Sequence, residues 1–173
     1  HFKYPRIPNT HSFRFNDISS IKEKINSFRK ESDESNIYAI IVEPFSGGSI
    51  RQCDTEFLQK LQKICNDEKI ILIFDEIYTG WYKTGNIFNF TGHNVIPDIL
   101  TMSKSFGGGK SSISAYVSRE SVLKKSYGNL QDATLHTTTY NGFGEECVTA
   151  IEAINIMQED NYEQKSVRIE KTV

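Results

Sequence analysis

Two groups of polar residues follow apolar runs, at positions where they could do chemistry. The acidic pair Asp75-Glu76 directly follows the run at residues 70–74. Lys104 follows the run at 99–103 and leads into the three glycines at 107–109. In open α/β sheets, ligands bind outside the carboxyl ends of the strands. An acid and a lysine at two strand ends are therefore the first candidates for a functional site.

One chemistry that these residues could serve is nucleotide hydrolysis. An apolar strand that ends in Asp-Glu resembles a Walker B element, and Gly109-Lys110-Ser111 resembles the end of a P-loop. The spacing contradicts this hypothesis, because position 104 holds a lysine where the pattern G-x-x-x-x-G-K-[ST] requires its first glycine. The acidic strand also precedes the glycine loop, which reverses the usual order. A nucleotide phosphatase is therefore the weaker alternative.

A second chemistry is that of pyridoxal phosphate, which requires a lysine, a carboxylate and phosphate-binding donors from the protein. Lys104 could form the Schiff base with the aldehyde, and partial desolvation at a strand end would favour the neutral, nucleophilic amine. Asp75 could pair with the pyridine nitrogen and keep it protonated, so that the ring accepts electrons from a substrate carbanion. The threonines at 137–139 offer phosphate donors at the start of a predicted helix, although they could also simply cap that helix.

The elements that would position these residues alternate between helices and short apolar strands. This alternation predicts the α/β class, with a mainly parallel sheet flanked by helices. Buried strands are predicted at 37–42 and 70–74, and further strands at 99–103 and 113–117. Helices are predicted from an Asp17 or Ser19 cap to about Glu34, from Asp54 or Thr55 to before residue 70, and at about 142–159. In the last helix, a stripe of Val148, Ile151, Ile154 and Met157 is expected to pack on the core.

The composition argues against several other classes of protein. The chain has 173 residues, with 20 Lys+Arg against 22 Asp+Glu, so no bulk charge attracts it to nucleic acid or to an anionic membrane. The apolar run at 70–74 is far shorter than the roughly 20 residues of a membrane helix. Without a signal-peptide pattern, we expect a cytoplasmic protein. Cys53, Cys65 and Cys147 lie far apart, and no metal site is expected.

Several motifs in order resemble the class III, ornithine-type aminotransferases, which are pyridoxal-phosphate enzymes of fold type I. The similarity runs from about residue 37 to 160 and rests on four groups of residues. The first two are Ile41-Val42-Glu43-Pro44 and Leu72-Ile73-Phe74-Asp75-Glu76-Ile77-Tyr78-Thr79-Gly80 with Thr84-Gly85. The other two are Pro97-Asp98-Ile99-Leu100-Thr101 with Ser103-Lys104 and Gly107-Gly108-Gly109, and His136-Thr137-Thr138-Thr139. The last motif is similar to that of the putrescine-type branch. The resemblance implies that residues 1–173 form part of the cofactor-binding large domain, without its N-terminal phosphate-loop part and without the C-terminal small domain.

The resemblance also implies a role for individual residues. Lys104 forms the Schiff base with pyridoxal phosphate and moves the proton during transfer of an amino group from an amine donor to a 2-oxo acid acceptor. Asp75 binds the pyridine nitrogen, Ile77 packs on the ring, and Tyr78 contacts the cofactor. Thr139 binds the phosphate of the cofactor in a neighbouring subunit, so a homodimer is implied.

The chain departs from the pattern of this family at several places, among them Lys110 after the glycines and Phe143-Gly144-Glu145-Glu146 before the last long helix. Tyr78 occupies a position where most members have Gln, and Ser46-Gly47-Gly48 replaces Gln-Gly-Glu, so that an acidic residue is missing.

Two further hypotheses remain beside an aminotransferase and a phosphatase. The chain could belong to another fold type I enzyme, an aminomutase or a decarboxylase, that uses the same Lys104 and Asp75. It could also be catalytically silent and serve only in dimerisation.

Overall fold

The computed structural model describes residues 8–29 and 36–172, which alternate between strands and helices. The helices are α1 (Ile18–Ser27), α2 (Thr55–Asp67), α3 (Glu120–Tyr127), α4 (Gly144–Glu159) and α5 (Tyr162–Glu170). The strands are β1 (Ala39–Val42), β2 (Phe45–Ser46), β3 (Arg51–Gln52), β4 (Ile71–Asp75), β5 (Ile99–Met102) and β6 (Ala115–Ser118). Short 3-10 turns span Asn89–His93, Lys104–Gly107 and Leu130–Asp132. Within the described residues, no helix combines the length and the hydrophobicity needed to cross a bilayer.

Four strands form the central sheet, in the order β1-β4-β5-β6. Strands β1, β4 and β5 are parallel, whereas β6 runs antiparallel to β5. The mainly parallel α/β architecture predicted from the sequence is therefore confirmed. Because β1, β4 and β5 run in the same direction, their carboxyl ends meet at one edge of the sheet. Strands β2 and β3 form a separate antiparallel hairpin just after β1.

Strand β1 is buried on one face only, which corrects the expectation of a fully buried strand. Ile40 and Val42 lie in the core, but the side chain between them, Ile41, is 58% exposed. Successive side chains of a strand point to opposite faces of the sheet. The side chains of the apolar run at 37–42 are therefore divided between a buried face of the sheet and a face that the described residues leave exposed.

Helix α1 begins as predicted but ends early. The Asp17 side chain caps it by accepting a hydrogen bond from the backbone N–H of Ser20 at 3.0 Å. The helix ends at Ser27, where the N–H groups of Phe28 and Arg29 donate to carbonyls only three residues back and tighten the last turn. The predicted extension to Glu34 is therefore wrong at Phe28 and Arg29, and its remainder lies outside the described residues.

Helix α4 packs on the core through small residues, and the predicted stripe is only partly correct. Met157 is buried and Ile154 packs against the core, but Val148 and Ile151 are 67% and 58% exposed. The buried face carries Ala150 and Ala153. A Cβ atom added to Gly108 would lie 2.9 Å from the Cβ of Ala153, so α4 approaches the glycine turn too closely for larger side chains.

Candidate functional site

Asp75 is the last residue of β4 and holds a fixed carboxylate at the carboxyl edge of the sheet. Its Oδ1 atom accepts a hydrogen bond from the hydroxyl of Thr101 at 3.0 Å and one from the backbone N–H of Ile77 at 3.1 Å. Among the described residues, no donor reaches the second oxygen, Oδ2. The side chain is half-buried. Asp75 therefore presents one oriented, available carboxylate oxygen.

Lys104 begins the 3-10 turn that follows β5, two residues beyond the end of the strand. Its φ of 53° is in the left-handed region, which is uncommon for a residue with a Cβ atom. The Nζ atom lies 5.6 Å from the centroid of the Tyr78 ring. The side chain is exposed, so the partial desolvation expected from its position at a strand end is not found. The turn places it at the open edge of the sheet, where the described residues do not cover it.

The sheet brings Asp75 and Lys104 to the same edge. In the parallel pair of β4 and β5, Asp75 lies directly opposite Thr101, and Lys104 follows Thr101 by three residues. No carboxylate in residues 8–29 and 36–172 forms an ion pair with Lys104. The acid and the amine predicted to act together thus lie at the ends of adjacent strands, each with an atom free to bind a ligand.

Tyr78 is held against the β2–β3 hairpin. A Cβ atom added to Gly47 would lie 2.6 Å from the Cγ atom of Tyr78, so the hairpin turn and the phenol ring are in close contact. The ring is partly exposed. Ile77, predicted to pack on a cofactor ring, is also partly exposed, and its backbone N–H orients Asp75. These two residues therefore lie beside the carboxylate, although their contacts with a cofactor stay predictions.

A second lysine lies beside the same ring, and the sequence analysis missed it. Lys83 Nζ is 5.6 Å from the centroid of the Tyr78 ring, the same distance as Lys104 Nζ. Partial burial of the ammonium group, and then the positive charge of Lys104, lower the pKa of Lys83. Its position five residues after Tyr78 gives no periodic signal that would have marked it.

Glu76, the other half of the acidic pair, is a structural residue. It is fully buried, and its carboxylate accepts hydrogen bonds from the Thr79 hydroxyl at 2.9 Å and from the backbone N–H groups of Asn89 and Phe90 at 2.7 and 2.8 Å. Burial raises the pKa of Glu76, while these hydrogen bonds act in the opposite direction. The carboxylate therefore connects the start of the 3-10 turn at Asn89–His93 to the end of β4.

Thr139 lies in the segment between the 3-10 turn at Leu130–Asp132 and helix α4, and it is exposed. In the part of the chain that the structure describes, no hydrogen bond connects it to Asp75, Lys104 or Tyr78. No direct contact that would link Thr139 to the other predicted residues is therefore found within the described residues. Its role toward a neighbouring subunit stays a prediction.

The polar groups at this edge fit the two ends of a pyridoxal ring. A protonated pyridine nitrogen needs a carboxylate acceptor, and Asp75 Oδ2 is available. An aldehyde needs a primary amine without an ion-pair partner, and Lys104 satisfies this requirement within the described residues. The described residues contain no group of three or more His, Cys, Asp or Glu side chains that could hold a metal ion.

Together, the fold and this edge define the class of protein: a fragment with the fold of a type I pyridoxal-phosphate enzyme. More specifically, the chain belongs to the class-III aminotransferase family, whose model matches residues 1–173. This result confirms the family and the cofactor that the sequence predicted. It gives no support to the nucleotide phosphatase.

Relatives show the same family and fold. The acetylornithine aminotransferase of Methanocaldococcus jannaschii is 37% identical over 158 residues, which are 90% of this chain and 36% of that protein. A structure of ornithine aminotransferase from Toxoplasma gondii, with partial occupancy of PLP at its active site, gives a TM-score of 0.85 at 24% identity and covers 98% of this chain and 37% of that one. A second structure, from Toxoplasma gondii ME49, gives 0.84 at 26% identity, with 98% and 38% covered. The chain thus spans little more than a third of the length of these relatives.

Proposed function

We propose that the protein is a pyridoxal-phosphate-dependent aminotransferase, which moves an amino group from an amine or amino acid to a 2-oxo acid. The observation that carries this proposal is the placement of Asp75 and Lys104 at the carboxyl ends of adjacent parallel strands. Membership of the class-III aminotransferase family supports it independently. Because the chain covers little more than a third of its relatives, the activity is a proposal for the whole protein.

The cofactor, when bound, supplies an electron-withdrawing ring that stabilises negative charge on the substrate carbon. Asp75 Oδ2 would hold the pyridine nitrogen, while Thr101 and the Ile77 N–H keep the carboxylate in place. Lys104 Nζ is the amine that would hold the cofactor, and once the substrate amine has replaced it there, the freed Nζ would accept the proton that leaves the substrate carbon. Ile77 would pack on the ring, and Tyr78 would lie beside it.

Further parts of the proposal concern assembly and location. We propose a homodimer in which Thr139 binds the phosphate of the cofactor held by the neighbouring subunit. Its exposed position supports this role, because a side chain that serves another subunit must be accessible. The assignment of residues 1–173 to a partial large domain and the cytoplasmic location both stay predictions from the sequence.

The test is an amino-transfer assay on the full-length protein with pyridoxal phosphate, an amine donor and 2-oxoglutarate or pyruvate. We expect Lys104→Ala to lower kcat by at least about 100-fold, because the variant loses its general base. Lys110→Ala is the matched control, since Lys110 is an exposed lysine in the same glycine turn. Full activity of Lys104→Ala contradicts the proposal.

The same assay separates the alternative functions. Release of carbon dioxide without a new amino acid indicates a decarboxylase, and migration of the amino group within one substrate indicates an aminomutase. An intact dimer without turnover of any donor indicates a protein that only dimerises. A series of donors, with ornithine, acetylornithine and short diamines, then identifies the substrate class.

A further inference from the structure

Two ammonium groups lie beside one phenol ring at the edge of the sheet. The Nζ atoms of Lys83 and Lys104 are each 5.6 Å from the centroid of the Tyr78 ring, within the range of a cation–π contact. The two nitrogen atoms are therefore no further apart than twice that distance. The charge of Lys104 acts on Lys83 strongly enough to contribute to its lowered pKa. Lys83 is thus part of the same electrostatic site as Lys104.

The turn that carries Lys83 is locked to the turn that carries Lys104. Trp81 stacks on Phe106, with ring centroids 5.0 Å apart and an interplanar angle of 2°. Trp81 lies two residues before Lys83, and Phe106 lies two residues after Lys104. The stack therefore fixes the two lysine-bearing turns relative to each other.

The backbone beside Lys83 is held in a costly conformation. Trp81 and Tyr82 both have left-handed φ values, 67° and 65°, although neither is a glycine. The Trp81 N–H donates to the carbonyl of Ile87 at 2.6 Å, and the Ser166 hydroxyl of α5 donates to the carbonyl of Tyr82 at 2.7 Å. Such strain persists only where the surrounding contacts hold it, and it occurs preferentially at functional sites.

Within the described residues, no carboxylate forms an ion pair with Lys83 or with Lys104. Asp75 accepts hydrogen bonds from Thr101 and Ile77, and Glu43 accepts one from the backbone N–H of Gly47 at 3.0 Å. In the proposed function, the free oxygen of Asp75 pairs with the pyridine nitrogen and not with a lysine. Two like charges held at one ring without an ion-pair partner create a local positive potential, which favours an anion.

We propose that Lys83 is a substrate-binding residue that takes a carboxylate group of the substrate, either of the 2-oxo acid acceptor or of an amino-acid donor. This inference rests on the proposed function. Once Lys104 holds the cofactor, Lys83 is the cation that remains beside Tyr78 among residues 8–29 and 36–172. An ammonium on a flexible stem binds a carboxylate as a point charge and so accepts acids of more than one length.

The test measures binding of unreactive acids to the cofactor-loaded, full-length protein. Glutarate and propionate resemble 2-oxoglutarate and pyruvate without the 2-oxo group, and calorimetry gives their Kd. Of the two acids, the one that wild-type protein binds more tightly is used to compare the variants. We expect Lys83→Met to raise its Kd about tenfold, since a charged hydrogen bond is lost. Lys83→Arg should restore most of the affinity, and Lys110→Met, at an exposed lysine, should bind as wild type does.

A donor amine without a carboxylate distinguishes which substrate Lys83 serves. If Lys83 binds only the acceptor, Lys83→Met leaves the KM of a diamine unchanged and raises that of the oxo acid. If it binds the carboxylate of an amino-acid donor, the KM of that donor rises while that of the diamine does not. Equal KM values for all substrates in Lys83→Met and wild type overturn the inference.

Failure of this inference is distinguishable from failure of the proposed function. If Lys83→Met keeps the cofactor and a borohydride-trapped label on Lys104 but binds the acids as wild type does, only the inference fails. Loss of cofactor from Lys83→Met would place Lys83 at the phosphate and overturn the carboxylate assignment. If wild-type protein traps no cofactor, or binds neither acid, the inference is overturned, and in the first case the proposed function fails with it.

Discussion

The hydroxyl of Thr101 donates a hydrogen bond to the carboxylate of Asp75 at 3.0 Å, across the parallel pair of β4 and β5. The two residues are directly opposite each other in the strand register. A second donor, the backbone N–H of Ile77, reaches the same oxygen at 3.1 Å. One carboxylate oxygen is thus held by the strand pair and the backbone, while no donor in the described residues reaches the other oxygen, Oδ2.

The first prediction concerns this hydrogen bond. Thr101→Val keeps the shape of the side chain but removes the donor to Asp75, so the carboxylate is less well oriented. We expect the affinity of the full-length protein for pyridoxal phosphate to fall by about 1.5 kcal/mol, or about tenfold. A fluorescence or absorbance titration of the cofactor measures this change. Thr172→Val, which removes an exposed hydroxyl near the end of the chain, is the control, and equal Kd values for the two variants would count against a role for Thr101.

The second prediction concerns the contact between Gly47 and Tyr78. In Gly47→Ala, the new Cβ atom would lie 2.6 Å from Tyr78 Cγ, so the ring must move, and we expect a loss of about 1–3 kcal/mol in the free energy of unfolding. Gly48→Ala is the matched control, because no atom lies within 4 Å of its added Cβ. Urea denaturation measures both.

A double variant tests the same contact from the other side. With the ring removed by Tyr78→Ala, the additional substitution Gly47→Ala should cost much less than it does in the wild-type background. If its cost is the same in both backgrounds, the close contact between the hairpin and the phenol ring does not determine the stability of this region.

The third prediction concerns pH and Glu76. Burial raises the pKa of this carboxyl above its ordinary value of 4.5, so the folded chain binds the proton more tightly than the unfolded chain does. The contribution of Glu76 to stability is therefore fully present below pH 4.5 and is lost as the pH rises through the raised pKa. We expect Glu76→Gln, which does not ionise, to reduce the decline of the urea midpoint between pH 4.5 and neutrality.

Glu159→Gln is the control for this pH dependence, because Glu159 is exposed at the end of α4. It should leave the pH profile of the urea midpoint unchanged. A profile that is identical in wild type and Glu76→Gln would show that the buried carboxyl does not titrate in this range, and that its three hydrogen bonds outweigh the effect of burial.

The fourth prediction concerns the glycine turn after Lys104. Gly108 and Gly109 both have left-handed φ values, 60° and 74°, so alanine is strained by about 1–2 kcal/mol at either position. Only Gly108 also contacts α4, where an added Cβ atom would lie 2.9 Å from the Cβ of Ala153. We expect Gly108→Ala to be less stable than Gly109→Ala by about 1–3 kcal/mol in urea denaturation. Equal losses would mean that α4 does not pack on the turn as closely as the structure describes.

The strands and the two ends that carry Asp75 and Lys104 could be predicted from the sequence. The apolar runs before these residues are rich in Ile and Leu, and their strand ends lie within one residue of the predicted ones. The rule that ligands bind at the carboxyl ends of parallel strands then indicated both residues. This part of the site follows from local pattern and sheet direction alone.

Lys83 could not be predicted in the same way. Its approach to Tyr78 depends on left-handed backbone at Trp81 and Tyr82, and neither residue type favours that conformation. The stack of Trp81 on Phe106 that fixes it joins residues 25 positions apart in the chain. No periodicity or short motif encodes such a contact.

The face of α4 and the burial of Glu76 were missed because they depend on tertiary contacts. Val148 and Ile151 have helical spacing, but the close approach to Gly108 selects the alanine face instead. Glu76 is adjacent to Asp75 in sequence, yet its carboxylate is buried and accepts hydrogen bonds from the backbone N–H groups of Asn89 and Phe90. Two neighbouring carboxylates therefore have different roles, which residue type alone does not distinguish.

The central claim is that Lys104 and Asp75 hold one cofactor between adjacent strand ends. Borohydride reduction of the full-length protein loaded with pyridoxal phosphate, followed by peptide mass spectrometry, tests it most directly. We expect a pyridoxyl group on Lys104. A pyridoxyl group on another lysine, such as Lys83 or Lys110, or no stable adduct at all, would contradict it.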